Sequence, residues 1–244
     1  ARAENSHFWA DVTKGIRIYT ATPRLRGLMV MEAAVAAAGA MVYVNTVVLV
    51  KARLGLGEEA VALAFAGFGA GSMLAAFLLP RILTRLDDRP AMIGGAALMV
   101  AGVALVPLVG SLTSLIALWA VIGFGFSLTQ TPIGRIINRS AHEADRGAVF
   151  AAQFSLSHAC WLVTYPLAGW IGATAGMSAV SLALAAIGAV GIFAALMLWP
   201  AHDPDGFAHT HDNLPLDHPH LRGERHHTHT FILDSEHPRW SSQH

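Results

Sequence analysis

The stretch GAVFAAQFSLSHACWLVTYPLAGWIGATAGMSAVSLALAAIGAVGIFAALMLWPA, residues 147–201, holds no Asp, Glu, Lys or Arg over 55 positions. About 20 helical residues cross the hydrocarbon core of a bilayer, so the run is too long for one span and suits two. A turn is expected at Gly172-Ala173-Thr174-Ala175-Gly176, where glycine and threonine punctuate the pattern. Working outward, residues 90–134 are charge-free over 45 positions and suit a second pair, divided at Gly110-Ser111-Leu112-Thr113-Ser114. Residues 60–80 carry no charge and residues 27–50 only Glu32, so each fits one span. The expectation is an all-α polytopic membrane protein with six transmembrane helices, at about 27–50, 60–81, 90–109, 114–134, 147–170 and 177–199.

Composition agrees. The chain is 54% hydrophobic and 13% charged, where an ordinary soluble domain is about 25% charged. A transmembrane barrel is excluded, because its strands alternate apolar and polar residues. In lipid the backbone must satisfy its own hydrogen bonds, which leaves helices. Of 16 Lys and Arg, only Lys51 and Arg53 fall after the first span; the other 14 fall in the N-terminal segment, the second and fourth loops and the tail. The positive-inside rule therefore places both termini and the basic loops in the cytoplasm, across a plasma (inner) membrane. The formal net charge is +0, which gives no hint of a nucleic-acid partner. The single cysteine, Cys160, excludes an intramolecular disulfide and a CxxC motif. No cleavable signal peptide is visible at the polar start.

Residues 1–26 read as a cytoplasmic linker. Phe8, Trp9, Val12, Ile16 and Tyr19 recur at helical spacing with Lys14 and Arg17 among them, a pattern suited to a helix on the membrane surface or to a solvated linker. Thr22-Pro23 would break it before the first span. An even span number with both ends on one side, and a first residue that is not Met, fit one half of a larger permease. The basic linker, six spans and basic loop after the second span resemble the C-terminal half of a major facilitator superfamily (MFS) transporter. In that loop Arg81, Arg85, Asp87, Asp88 and Arg89 resemble a degenerate copy of the family's signature, with Arg85 and Arg89 at basic positions. Thr84 and Asp87 depart from the expected aspartate and glycine. The resemblance covers about residues 5–200. It implies a three-plus-three inverted repeat, a cytoplasmic gating role for the loop, and a missing N-terminal six-helix half. It also implies that spans 27–50 and 114–134 line a central cavity, while 60–81 and 147–170 face that half.

Ionisable and polar groups inside spans are expensive, and so are the candidates for a substrate or proton pathway. Glu32 suits a proton or cation site, or it snorkels or pairs with Arg24 or Arg26. Asn45 sits toward the outer end and fits a substrate contact or a helix–helix hydrogen bond. Ser127, Gln130 and Thr131 share a face with Gly123 and Gly134. In the fifth span Gln153, Ser157, Cys160 and Thr164 form one stripe, and Phe154, His158, Trp161 and Tyr165 run beside it. His158 can carry a proton or a metal near neutrality. Gly67 and Gly71 form a G-x-x-x-G, which reads as close helix packing and not as a phosphate loop.

Residues 201–244 differ abruptly. They hold ten of the 13 histidines among acids and four prolines. The candidate metal ligands are His209 and His211, His218 and His220, then His226, His227 and His229. Imidazole suits nickel, cobalt and zinc, so the tail is expected to bind a divalent metal, unless it is a solvated low-complexity tail. Phe231-Ile232-Leu233 and Trp240 suggest a short docking element. No cofactor is required. Crowding of the histidines into one terminal segment argues against a membrane di-iron enzyme. The expected function is secondary transport by alternating access, with export of small solutes or divalent metal ions. A membrane-anchored metal-binding or metal-sensing protein is the alternative.

Overall fold

The computed structural model describes residues 2–201, 206–210 and 226–230 and Ile232, with side chains described from Val12 to Ala201 and at Ile232. Among the described residues, seven α-helices and one β-ribbon follow in chain order. They are α1 (Arg2–Ala21), α2 (Pro23–Val48), α3 (Glu58–Ile82), α4 (Asp88–Ala104), α5 (Leu112–Gln130), α6 (Ile133–Ser140), α7 (Glu143–Leu198), β1 (Gly206–Thr210) and β2 (His226–Thr230). Among the described residues, four segments are long and apolar enough to cross a membrane: Pro23–Arg53, Glu58–Ile82, Leu112–Ser140 and Glu143–Leu198.

The helix ends have local causes. Thr22 leaves the helical region (φ −89°, ψ 118°) and Pro23 opens α2, where its missing N–H is harmless. A π-helical turn, Leu49–Arg53, closes the α2 segment, and Gly55 turns the chain at φ 67°. Glu58 and Glu59 lie at the N-terminus of α3 and Glu143 and Asp145 at that of α7, where acids complement the helix dipole. Ser111 and Ser114 form a capping box at the start of α5.

Three boundaries differ from the sequence expectation. The segment expected at 90–109 stops as α4 at Ala104 and continues only as a 3-10 turn, Val106–Leu108, which contains Pro107. The segment expected to run to 134 stops at Gln130, because Pro132 cannot donate an N–H to a continuing helix; the short α6 follows. Of the expected turn at 172–176, only Gly176 leaves the helical region, at φ 83° and ψ 174°. Thr174 stays helical and spends its hydroxyl on the Trp170 carbonyl at 2.8 Å. α7 thus consists of two arms, 143–175 and 177–198.

α2 is the most enclosed of the long apolar helices and packs chiefly on α7, while α5 packs on α3 and α4. Small residues allow these approaches. A methyl group added at Gly67 or Gly71 would overlap the backbone of Ile116 or Ala120 on α5, and one at Gly123 would overlap Phe68 on α3. The G-x-x-x-G reading therefore holds for α3 against α5. Gly39 on α2 receives the Trp161 ring of α7, and Thr164 donates to the Ala36 carbonyl at 3.2 Å. One core cluster surrounds Met41, Trp119 and Val180; another gathers Tyr19, Leu25, Met31, Ile136 and Trp199. α1 contributes Ile18 and Tyr19 to the second, so this end of the linker helix is docked into the bundle. The tail adds an antiparallel two-stranded ribbon to the otherwise helical fold.

Candidate functional site

Glu32 is 3% exposed, so it does not snorkel. Three helices meet around it. Gln153 Nε2 of α7 donates to Glu32 Oε1 at 3.0 Å, and Gln130 Nε2 of α5 donates to Glu32 Oε2 at 3.3 Å. The Tyr19 hydroxyl of α1 donates to Gln153 Oε1. A phenol that donates there fixes the orientation of the amide, because its oxygen is taken and its N–H₂ is left facing the carboxylate. Burial above all, then the charge of Glu32, then Cys160, push the Tyr19 phenol well above the ordinary tyrosine range. Tyr19 therefore keeps its proton and stays a donor at physiological pH. Spacing alone could assign Tyr19 to a helix face, but not to this partner.

An aromatic row runs along the same group of helices. Tyr43 of α2 contacts Phe65, Phe68 and Trp161 with ring centroids 6.4, 5.7 and 5.9 Å away. Phe68 meets Phe126 at 5.5 Å and Trp161 meets Tyr165 edge-on at 5.2 Å. Tyr43, Phe154 and Tyr165 remain exposed. His158 is exposed beside them. It stacks on Phe154 at 3.9 Å, and its Nδ1 lies 2.8 Å from the Phe154 carbonyl. It stands outside the hydrogen-bonded cluster but within electrostatic reach of Glu32.

The Major Facilitator Superfamily profile matches residues 29–227, well over half of the chain. The chain belongs to the Major Facilitator Superfamily. No curated protein matches it. Membership of this transporter family and the long apolar helices make the chain a membrane protein.

The remaining residues singled out in this facilitator chain are dispersed. Ser127 is buried, with its hydroxyl 3.4 Å from that of Thr131, while Thr129 binds the Gly125 and Met92 carbonyls at 2.9 and 3.2 Å. Asn45 is buried beside Gly172, and its Nδ2 has no hydrogen-bond partner. At the start of α4, Asp88 pairs with Arg135 of α6. Arg89 donates from Nε to the Trp199 carbonyl at 2.9 Å and from a terminal nitrogen to the Leu196 carbonyl at 3.2 Å. Arg81, Arg85 and Asp87 are exposed. Lys14 of α1 pairs with Asp145 at 2.5 Å.

Among the described residues, no group of three or more His, Cys, Asp or Glu side chains converges as a metal site. His211, His218 and His220 lie outside the described residues, as do Phe231, Leu233 and Trp240; His209, His226, His227 and His229 occupy the ribbon. An apolar cleft of about 340 Å³, lined by Gly71, Leu74, Leu98, Ala120, Val121 and Phe124, offers nothing to a polar solute.

Proposed function

We propose that the chain is the six-span C-terminal half of a secondary transporter that works by alternating access in the plasma (inner) membrane. Both termini are cytoplasmic, and the cargo exported is a small solute or a divalent metal ion. The observation that carries this reading is Glu32, a buried acid held by carboxamides from two other helices. Intramembrane acids mark proton and ion pathways. The six-span count is supported by α7. As one straight helix its 56 residues would reach about 84 Å, against about 30 Å of hydrocarbon; the turn at Gly176 divides it into two lengths that each fit.

On this reading α2, α5 and the first arm of α7 meet at the cytoplasmic side, and the Tyr43–Trp161–Tyr165 row forms the wall toward the missing half. Exchange of the two carboxamides for a proton or a cationic substrate would release α2 from α5 and α7, and that differential contact is the coupling this reading uses. His158, exposed near Glu32, is the residue placed to pass the proton toward the cavity. The Asp88–Arg135 pair and the Arg89 bonds close the cytoplasmic ends of the helices, which is the gating role assigned to that loop.

The test is flux in proteoliposomes containing the complete transporter under an imposed pH gradient, with nickel, cobalt, zinc and a panel of lipophilic organic cations as candidate cargo. Glu32→Gln should abolish gradient-driven flux of whichever cargo moves, while Glu32→Asp should retain part of it. Wild-type flux in Glu32→Gln would overturn the pathway, and failure of every cargo to move would overturn the proposed substrate class.

A further inference from the structure

The apolar cleft between α3, α4 and α5 lies apart from the Glu32 cluster and has no part in the pathway proposed above. Gly71 lets two backbones close at its floor, since a methyl group there would overlap the Ala120 carbonyl. Around that contact Leu74, Leu98 and Val121 stay 54, 39 and 45% exposed, so the walls splay and the cleft opens outward. Its volume of about 340 Å³ falls within the roughly 300–1,000 Å³ of small-ligand pockets. Leu74 comes nine residues after Phe65, which sets it about half a turn round α3 from the ring that meets Tyr43. The cleft thus looks away from the aromatic row, and so from the wall proposed toward the missing half, and faces lipid.

The same face of α3 leads to unmatched positive charge. Leu74, Leu78 and Arg81 recur at i, i+4 and i+7 and share that face. Gly71 lies ten residues before Arg81 and Leu98 ten residues after Asp88, about 15 Å of helix in each case, and half the hydrocarbon core is about 15 Å thick. The cleft therefore sits at the depth of one leaflet's acyl chains, with Arg81 at its mouth. Arg85 follows about one turn later, because Leu83 and Leu86 still bond back to the Leu79 and Ile82 carbonyls at 2.9 Å. Both arginines are exposed, and neither side chain has a hydrogen-bond or ion-pair partner among the described residues. Asp88 is taken by Arg135, and Arg89 by carbonyls of α7. That leaves Arg81 and Arg85 against one exposed acid of the loop, Asp87.

We propose that the cleft and these two arginines form one binding site for an anionic phospholipid, with an acyl chain in the cleft and the phosphate on Arg81 and Arg85. Lipid tails are as apolar as leucine, so the cleft supplies shape and no preference among headgroups. The arginines supply that preference. Guanidinium matches phosphate in charge and in geometry, and each basic residue beside an anionic membrane surface strengthens binding about fivefold. A zwitterionic lipid brings its own cation to the same place and gains less.

The full chain in detergent micelles is titrated with dioleoyl phosphatidylglycerol or dioleoyl phosphatidylcholine, and retained lipid is counted by native mass spectrometry. Phosphatidylglycerol should be held more tightly, by about fivefold for each arginine. Arg81→Gln with Arg85→Gln should remove that preference. Arg17→Gln with Lys51→Gln, which deletes the same charge elsewhere, should keep it. Equal loss in the two pairs would mean that net charge alone attracts the lipid, and equal retention of the two lipids by the unaltered chain would sink the site. Val121→Trp fills the cleft from its open side and leaves the arginines in place, with Leu74→Trp as the substitute if the first variant does not elute as a single species. Either should weaken phosphatidylglycerol retention; undiminished retention would overturn the role of the cleft. Location has its own readout. Phosphatidylglycerol carrying a mid-chain diazirine should crosslink within residues 94–98 or 120–124, and labelling confined to α7 would overturn the proposal.

Discussion

Tyr19 and Gln153 are 134 positions apart and share one hydrogen bond. Each was conspicuous in the sequence for a different reason: Tyr19 as an aromatic on a presumed membrane-surface face, Gln153 as a polar residue within a span. Helical periodicity assigns a residue to a face, and it is silent about what that face meets. The cost of burying Glu32, Gln130 and Gln153 was legible, because lipid penalises polar groups; their convergence was not, because it depends on how α2, α5 and α7 pack. The bond itself can be measured. Tyr19→Phe leaves a buried amide oxygen unsatisfied and should destabilise the protein by about 1–3 kcal/mol. In a double-mutant cycle by thermal unfolding, Tyr19→Phe with Gln153→Leu should show coupling of roughly 0.5–3 kcal/mol; additive losses would mean that the two groups do not interact. Asn45 fitted either a substrate contact or a helix–helix hydrogen bond, and it is buried beside Gly172 of the first arm of α7.

At the scale of elements, charge-free runs located the long apolar helices, and two of the misplaced ends trace to single residues. Pro132 stops α5 where hydropathy alone would carry it on, and Gly176 carries the turn of α7 without help from Gly172. The five-residue cluster at 172–176 looked like a loop because composition averages over a window, whereas a backbone reversal needs only one residue able to adopt φ 83°. Nothing lies within 4 Å of a Cβ built at Gly176, so an alanine there meets strain and no clash. Gly176→Ala should lower stability by about 1–3 kcal/mol from the dihedral alone, read as a shift in the thermal midpoint in detergent. Gly134, equally open but helical, is the control: alanine there should be neutral or slightly stabilising.

For the molecule as a whole, the asymmetry of Lys and Arg gives an orientation that labelling can check. In the Cys160→Ser background, single cysteines at Gly55, Ser111 and Thr174 should react with an impermeant reagent from outside the cell, and those at Arg85 and His142 only after permeabilisation. Labelling of Thr174→Cys from the same side as Arg85→Cys would remove the crossing by the first arm of α7. The family was legible in the pattern of spans and basic loops, and the matched profile agrees over residues 29–227. The ribbon was not legible, since strands so rich in histidine and threonine carry no apolar alternation to announce them. Arg89 adds a mechanical point. By binding the last carbonyls of α7 from the first turn of α4, it lashes the foot of one helix to the foot of another at the point where the tail departs. A load placed on the tail is therefore borne by two helices at once, as a rope made fast to a two-horned cleat strains both horns.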